Sequence, residues 1–251
     1  MDVTAARPDP LQIVWRPTPE VIEASRLTRL LRKLQVPSLE ALQKRSIEEP
    51  EWYWDAVVRD LGIRWTQPYT RVLDDARGVA WPRWFEGGLL NFTDNCVDRH
   101  IDAGRGAHPA VVWEGDDGQT RTLTYAELSR EVNRLANALM SLGVRAGDRV
   151  GIFLPMSPEA VIATLAVLRI AAIYTPCFSG FGAHAVASRL QDSEAKILIT
   201  ADGFLRRGQV VRLKETADEA VAQCPDVTDV VVLRRLGREV PWTGSRDRWW
   251  H

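Results

Sequence analysis

The side chains of this sequence that could do chemistry point first to phosphate. Gly180-Phe181-Gly182-Ala183-His184-Ala185 fits the pattern GxGxxG/A, in which glycines permit a tight turn and a close approach of backbone to a pyrophosphate. Asp202 follows about 20 residues on, where an acid would hold a ribose hydroxyl. On these residues alone, a nicotinamide-binding Rossmann unit and an unrelated βα turn are both open. Position weakens the first, because that motif normally ends the first strand of its unit and here two βα units precede it. Either way an anion or other ligand is expected near Ser179 and Gly180, since free N–H groups at a helix start attract negative charge.

Other reactive groups form no constellation. His100, His108, His184 and His251 show neither HxH nor HxxxH spacing, so no metal site is expected. The three cysteines, Cys96, Cys177 and Cys224, lie far apart without a CxxC pair, which argues against a disulfide framework and a zinc site and fits a reducing, cytoplasmic setting. Spacing supports no Ser-His-Asp or Cys-His arrangement. Asn95, Asp98 and Arg99 cluster, and a structural hydrogen-bond and ion-pair network is their expected role.

The elements that must position these groups change character along the chain. In residues 1–100, Thr18-Pro19 starts a helix with Val21, Ala24, Leu31 and Leu34 on one stripe; Ser38 caps a second, and Pro50 opens a third with Trp54, Val57, Val58 and Leu61 on one face. Residues 62–88 have no sustained period. This part reads as an irregular helical segment wrapped on another domain, with Trp52, Trp54, Trp81 and Trp84 packing it down. A βα rhythm starts near residue 109: strands at 110–113 and 120–123 around a turn at Gly115–Gly118, then a helix with a Thr124/Glu127 capping box ending at Gly143. Strand 149–154, the Ser157-Pro158-Glu159 helix start, strand 172–178, helix 183–192, strand 196–200, helix 213–224 and strand 229–233 follow. The expected fold class is α/β, a mainly parallel, incomplete sheet with helices on both faces, occupying residues 101–251.

Composition sets bounds on function. The 251 residues are 45% hydrophobic and 26% charged, enough for one substantial core or two small ones. With 32 basic and 33 acidic side chains the net charge is −1, so neither nucleic acid nor an anionic membrane is an expected partner. The amino-terminal stretch MDVTAARPDPLQIVW has no apolar signal core, and no apolar run is long enough to span a bilayer.

Several stretches together resemble the AMP-forming acyl-CoA synthetases of the acetyl-CoA synthetase type. They are WFEGGLLNFTDNCVDRH at 84–100, LTYAELSREVNRLANALMSLGVRAGDRVGIFLP at 123–155, SPEAVIATLAVLRI after it, and CFSGFGAHAVASRLQDSEAKILITADGFLRRGQVVRLK at 177–214. Upstream, IVWRPTPEVIEASRLTRLLRKL is similar to the start of acetoacetyl-CoA synthetases. The resemblance implies an adenylate-forming ligase in which Phe178, Ser179 and Gly180 lie against the CoA nucleotide and Val211 lies near its adenine. In that family an arginine and a second one three positions on bind the CoA 3′-phosphate. Arg206 matches the first and Gln209 stands at the second, with Arg207 as an extra guanidinium; glutamine donates only neutral hydrogen bonds where arginine pairs a charge. Solvated surface arginines are the plainer reading of Arg206 and Arg207.

The resemblance also says what to look for and not find. The family's Ser/Thr/Gly-rich loop ending in lysine and its carboxy-terminal catalytic lysine have no match among Lys33, Lys44, Lys196 and Lys214. Trp249-Trp250-His251 reads as a cut through a domain. The expectation is an amino-terminal part that supplies scaffold and CoA surface and is inactive alone, with CoA as substrate and ATP, Mg and a short carboxylic acid needed only by the full-length enzyme. Two alternatives stay open here: an NAD-binding oxidoreductase domain, and a non-catalytic truncated interaction module.

Overall fold

The structure, a computed structural model, describes residues 13–251; most of the stretch read above for a signal core lies outside them. The described residues fall into two compact units, one ending at Leu89 and the other running from Leu90 to His251.

In the first unit the single helix expected from Thr18 is two helices, α1 (Pro19–Ala24) and α2 (Arg26–Lys33). Ser25 leaves the helical region at ψ 146°, and its hydroxyl accepts the Thr28 N–H at 3.0 Å, so it caps a new helix instead of continuing the old one. Ser38 caps α3 (Leu39–Glu48) and Pro50 holds the first position of α4 (Pro50–Asp60), as their types require. The aperiodic stretch 62–88 hides an antiparallel pair, β1 (Arg71–Asp74) and β2 (Arg83–Glu86). Ionic contacts define it: the buried Asp74 carboxylate accepts from Arg71 at 3.1 Å and from Arg83. Of the tryptophans, Trp54 meets Trp84 edge to face, Arg45 lies over Trp52, and Trp81 is exposed.

Near the start of the second unit lie two wide, π-type turns, Asp94–Asp98 and Ile101–Arg105. Two members of the polar cluster there make structural contacts: Arg169 donates to both Asp98 oxygens at 2.6 and 2.9 Å, and the Asn95 amide donates to the Asn91 carbonyl. β3 (Pro109–Glu114) and β4 (Thr120–Thr124) form a separate antiparallel hairpin. α5 (Tyr125–Ser141) opens with the full capping box, Thr124 and Glu127 each satisfying the other's backbone N–H.

Alternation then builds the core: β5 (Arg149–Ile152), α6 (Pro158–Arg169), β6 (Ile173–Pro176), α7 (Ala183–Asp192), β7 (Ile197–Ala201), a hairpin of β8 (Phe204–Arg206) and β9 (Gln209–Val211), α8 (Leu213–Val221), β10 (Asp229–Leu233) and β11 (Asp247–Trp249). Five strands form one sheet in the order β11-β10-β7-β5-β6, every neighbour parallel. α5 packs with α6, and α7 with α8. Ile197, Leu198 and Ile199 are buried without alternation, as central parallel strands covered on both faces must be. Ser157 sits at the cap position of α6, yet its buried hydroxyl makes no cap bond; Pro158 alone presets that helix start.

Candidate functional site

The carboxyl ends of parallel strands are where α/β sheets bind ligands. The chain leaves β6 at Pro176, and the Cys177 N–H still reaches the Ile152 carbonyl at 2.8 Å. It then turns sharply, the Phe181 N–H donating to the Phe178 carbonyl at 2.9 Å, before Gly182 starts α7. Gly180 sits inside the turn; a β-carbon there would lie 2.5 Å from the Phe178 ring and 3.1 Å from the Arg206 guanidinium. The glycine lets those two side chains close over it. Phe178 is 58% exposed, edge to face with Phe181, and the Arg206 guanidinium stands 5.9 Å from its ring centre.

Arg206 is delivered by the β8–β9 hairpin, which sequence reading missed. Its strands are only three residues long, but the signal was present: Arg207 and Gly208 take left-handed φ of 52° and 74° between the apolar pairs Phe204-Leu205 and Val210-Val211. Gln209 pairs directly with Arg206, and Val211 with Phe204.

Phe178, Ser179 and Arg206 line one cavity of about 330 Å³. Gly180 lies behind Phe178, and Gln209 and Val211 are not among the residues lining the cavity. The remaining wall comes from the β3–β4 tip around Trp113, the Pro155-Met156 loop after β5, and Arg235 after β10. None of these was singled out from sequence, because each reaches the cavity only through tertiary packing. The Trp113 indole N–H donates to the Met156 carbonyl at 2.8 Å, and the Arg235 guanidinium lies over the Trp113 ring at 4.7 Å. Burial pushes the Cys177 thiol up to about 11, so the sulfur beside this turn stays protonated and is no nucleophile at neutral pH.

The acid expected on a ribose is engaged elsewhere. Asp202 is fully buried, and its carboxylate accepts the backbone N–H groups of Arg235, Leu236 and Arg238 at 2.9–3.1 Å. It folds the loop after β10 and is not available to a dinucleotide. The glycine motif, moreover, follows the edge strand β6 and not the first strand of a dinucleotide unit.

Lys214 is a buried cation. Fully enclosed, its ammonium donates to Asp218 at 2.7 Å, to the Pro241 carbonyl at 2.9 Å and pairs with Asp247 at 2.9 Å, while Arg246 closes on both carboxylates. This network ties α8 to β11 and leaves no donor for a ligand. Among the described residues no group of three His, Cys, Asp or Glu side chains is placed to hold a metal ion, and no helix is long and apolar enough to cross a membrane.

Comparison with known proteins gives two family matches: AMP-binding enzyme over residues 98–250, and acetyl-coenzyme A synthetase N-terminus over residues 39–96. The chain is 52% identical over 192 residues to an acetyl-coenzyme A synthetase of Mycobacterium tuberculosis, covering 75% of this chain and 29% of that protein. It is 45% identical over 209 residues to a 3-hydroxypropionyl-coenzyme A synthetase of Sulfurisphaera tokodaii, covering 82% and 31%. Among solved structures, the acetoacetyl-CoA synthetase from Streptomyces lividans superposes with a TM-score of 0.87 at 31% identity, over 95% of this chain and 37% of that one. The chain thus spans between 29% and 37% of the length of these relatives.

Proposed function

The chain belongs to the AMP-binding enzyme family and corresponds to the amino-terminal portion of an acetyl-coenzyme A synthetase-like, AMP-forming ligase; from that premise we propose that its own part in the reaction is to present one wall of the site for the CoA nucleotide. The observation that carries this reading is the convergence of Phe178, Ser179 and Arg206 on one cavity at the carboxyl edge of the sheet. Arg206 offers paired, charge-assisted hydrogen bonds to the 3′-phosphate, and Phe178 offers an exposed ring face to the adenine. Gln209, in register with Arg206, adds only neutral donors, and Val211 pairs with Phe204 at the other end of the hairpin.

In a complete enzyme of this kind the carboxylate of a short acid attacks the α-phosphorus of ATP and expels pyrophosphate; the CoA thiol then displaces AMP from the acyl adenylate to form the thioester. Among the described residues the buried Lys214 is committed to its ion pairs and no acidic group converges for a magnesium ion. Holding ATP and its magnesium is assigned to parts of the longer relatives that this chain does not match. Three unpaired thiols support a cytoplasmic location.

The test is calorimetric titration of the chain with CoA and dephospho-CoA. Arg206→Ala is expected to weaken CoA about tenfold, the worth of a charged hydrogen bond, and to leave dephospho-CoA unchanged. Equal losses for both ligands would contradict the phosphate assignment.

A further inference from the structure

We infer that Arg235 is a second phosphate-binding residue of this cavity, reaching from the end of β10 toward the 3′-phosphate that Arg206 meets from β8; this rests on the CoA reading above. Both arginines line the same cavity. They arrive from the same edge of the sheet, because β10 pairs in parallel with β7 and the chain passes from β7 into β8.

The placement of Arg235 is tightly determined. Its N–H is held by the buried Asp202 carboxylate at 2.9 Å, and its guanidinium lies over Trp113, whose indole is itself anchored on the Met156 carbonyl. Stacking on one face leaves the N–H edges of a guanidinium directed outward, the geometry in which arginine takes a phosphate.

Its charge is also not closed by a carboxylate. Other largely buried arginines of this unit each have one at hydrogen-bond distance: Arg169 with Asp98, Arg238 with Glu215 and Arg246 with Asp247, all at 2.6 Å. Arg235, only 16% exposed, has Asp117 at 4.0 Å, beyond hydrogen-bond range. A partly desolvated cation without a close counter-ion, on a cavity wall, is suited to an incoming anion. Gln209 does not line that cavity, so the second positive charge there comes from β10 and not from the hairpin.

Glu114 and Asp116 of the β3–β4 tip line the cavity too. These carboxylates repel a bare anion but accept hydrogen bonds from ribose hydroxyls or an exocyclic amine. The site therefore selects an adenosine 3′-phosphate over inorganic phosphate.

Calorimetry on the whole chain tests this. Arg235→Gln is expected to weaken CoA about tenfold with dephospho-CoA unchanged, and Asp117→Asn, which removes the competing charge, to tighten CoA about threefold. Inorganic phosphate at millimolar concentration should not compete. If Arg235→Gln loses its cooperative thermal transition, Arg235→Lys replaces it, with a smaller loss confined to CoA. Full CoA affinity in the Arg235 variants alongside a loss in Arg206→Ala would overturn the role of Arg235 and leave the CoA reading intact. Absence of CoA binding by the unaltered chain would overturn the CoA reading, and this inference with it.

Discussion

A side chain at Gly180 would collide with the tip of the Phe178 ring, and that ring is exposed enough to swing away. Gly180→Val is therefore expected to change stability by less than about 0.5 kcal/mol, as surface changes do, while moving the ring off the cavity wall. Thermal unfolding checks the first part and a several-fold loss of CoA affinity checks the second. At this scale the sequence was informative only where neighbours in the chain become neighbours in space. Phe178, Ser179 and Arg206 could be picked out because a contiguous segment resembles the CoA side of a family. Trp113 and Arg235 could not, since 122 residues of chain separate two side chains that stack at 4.7 Å. Asp202 was open to misreading for the same reason: spacing places an acid after a strand but does not say that three backbone N–H groups from the loop after β10 will fold onto it.

Elements were most legible where local chemistry decides them. The capping box before α5, Pro50 and Pro158 at helix starts and the largely apolar strands β7 and β10 all follow from side-chain type. Ser25 was equally a cap, but the apolar stripe on both sides of it suggested one helix. The short pairs β1–β2 and β8–β9 escaped because strands of three or four residues carry too little period to register. β11 depends on Lys214, Asp218, Arg246 and Asp247. Lys214→Met leaves buried carboxylates with one cation fewer and is expected to cost about 3 kcal/mol, read from urea unfolding. Acid acts on the same network. Burial raises the pKa of Asp247, but hydrogen bonds from Arg246, the Thr243 N–H and Lys214 outweigh it and hold the carboxyl below its ordinary value. A carboxyl depressed in the folded state stabilises the fold above its unfolded pKa and loses that contribution as pH falls through the folded one. The urea midpoint should therefore change little between pH 7 and about 5 and drop below about pH 4, less steeply in Lys214→Met.

On the scale of the whole molecule, an all-parallel five-stranded sheet interleaved with helices is the architecture the alternation implied, and it superposes on a synthetase more than twice as long. The proposed division of labour within such enzymes puts the CoA nucleotide wall in this portion and the acyl-adenylate chemistry in parts it does not match. The chain alone is expected to show no exchange of pyrophosphate into ATP with acetate or propionate, measured with labelled pyrophosphate; exchange above background would contradict that division. The most direct test of the CoA wall is equilibrium titration of the unaltered chain with CoA, dephospho-CoA and NAD in parallel. Binding of CoA is expected, with dephospho-CoA weaker by about tenfold for Arg206 alone and by up to about a hundredfold with Arg235, and no binding of NAD. Binding of NAD without CoA would contradict it.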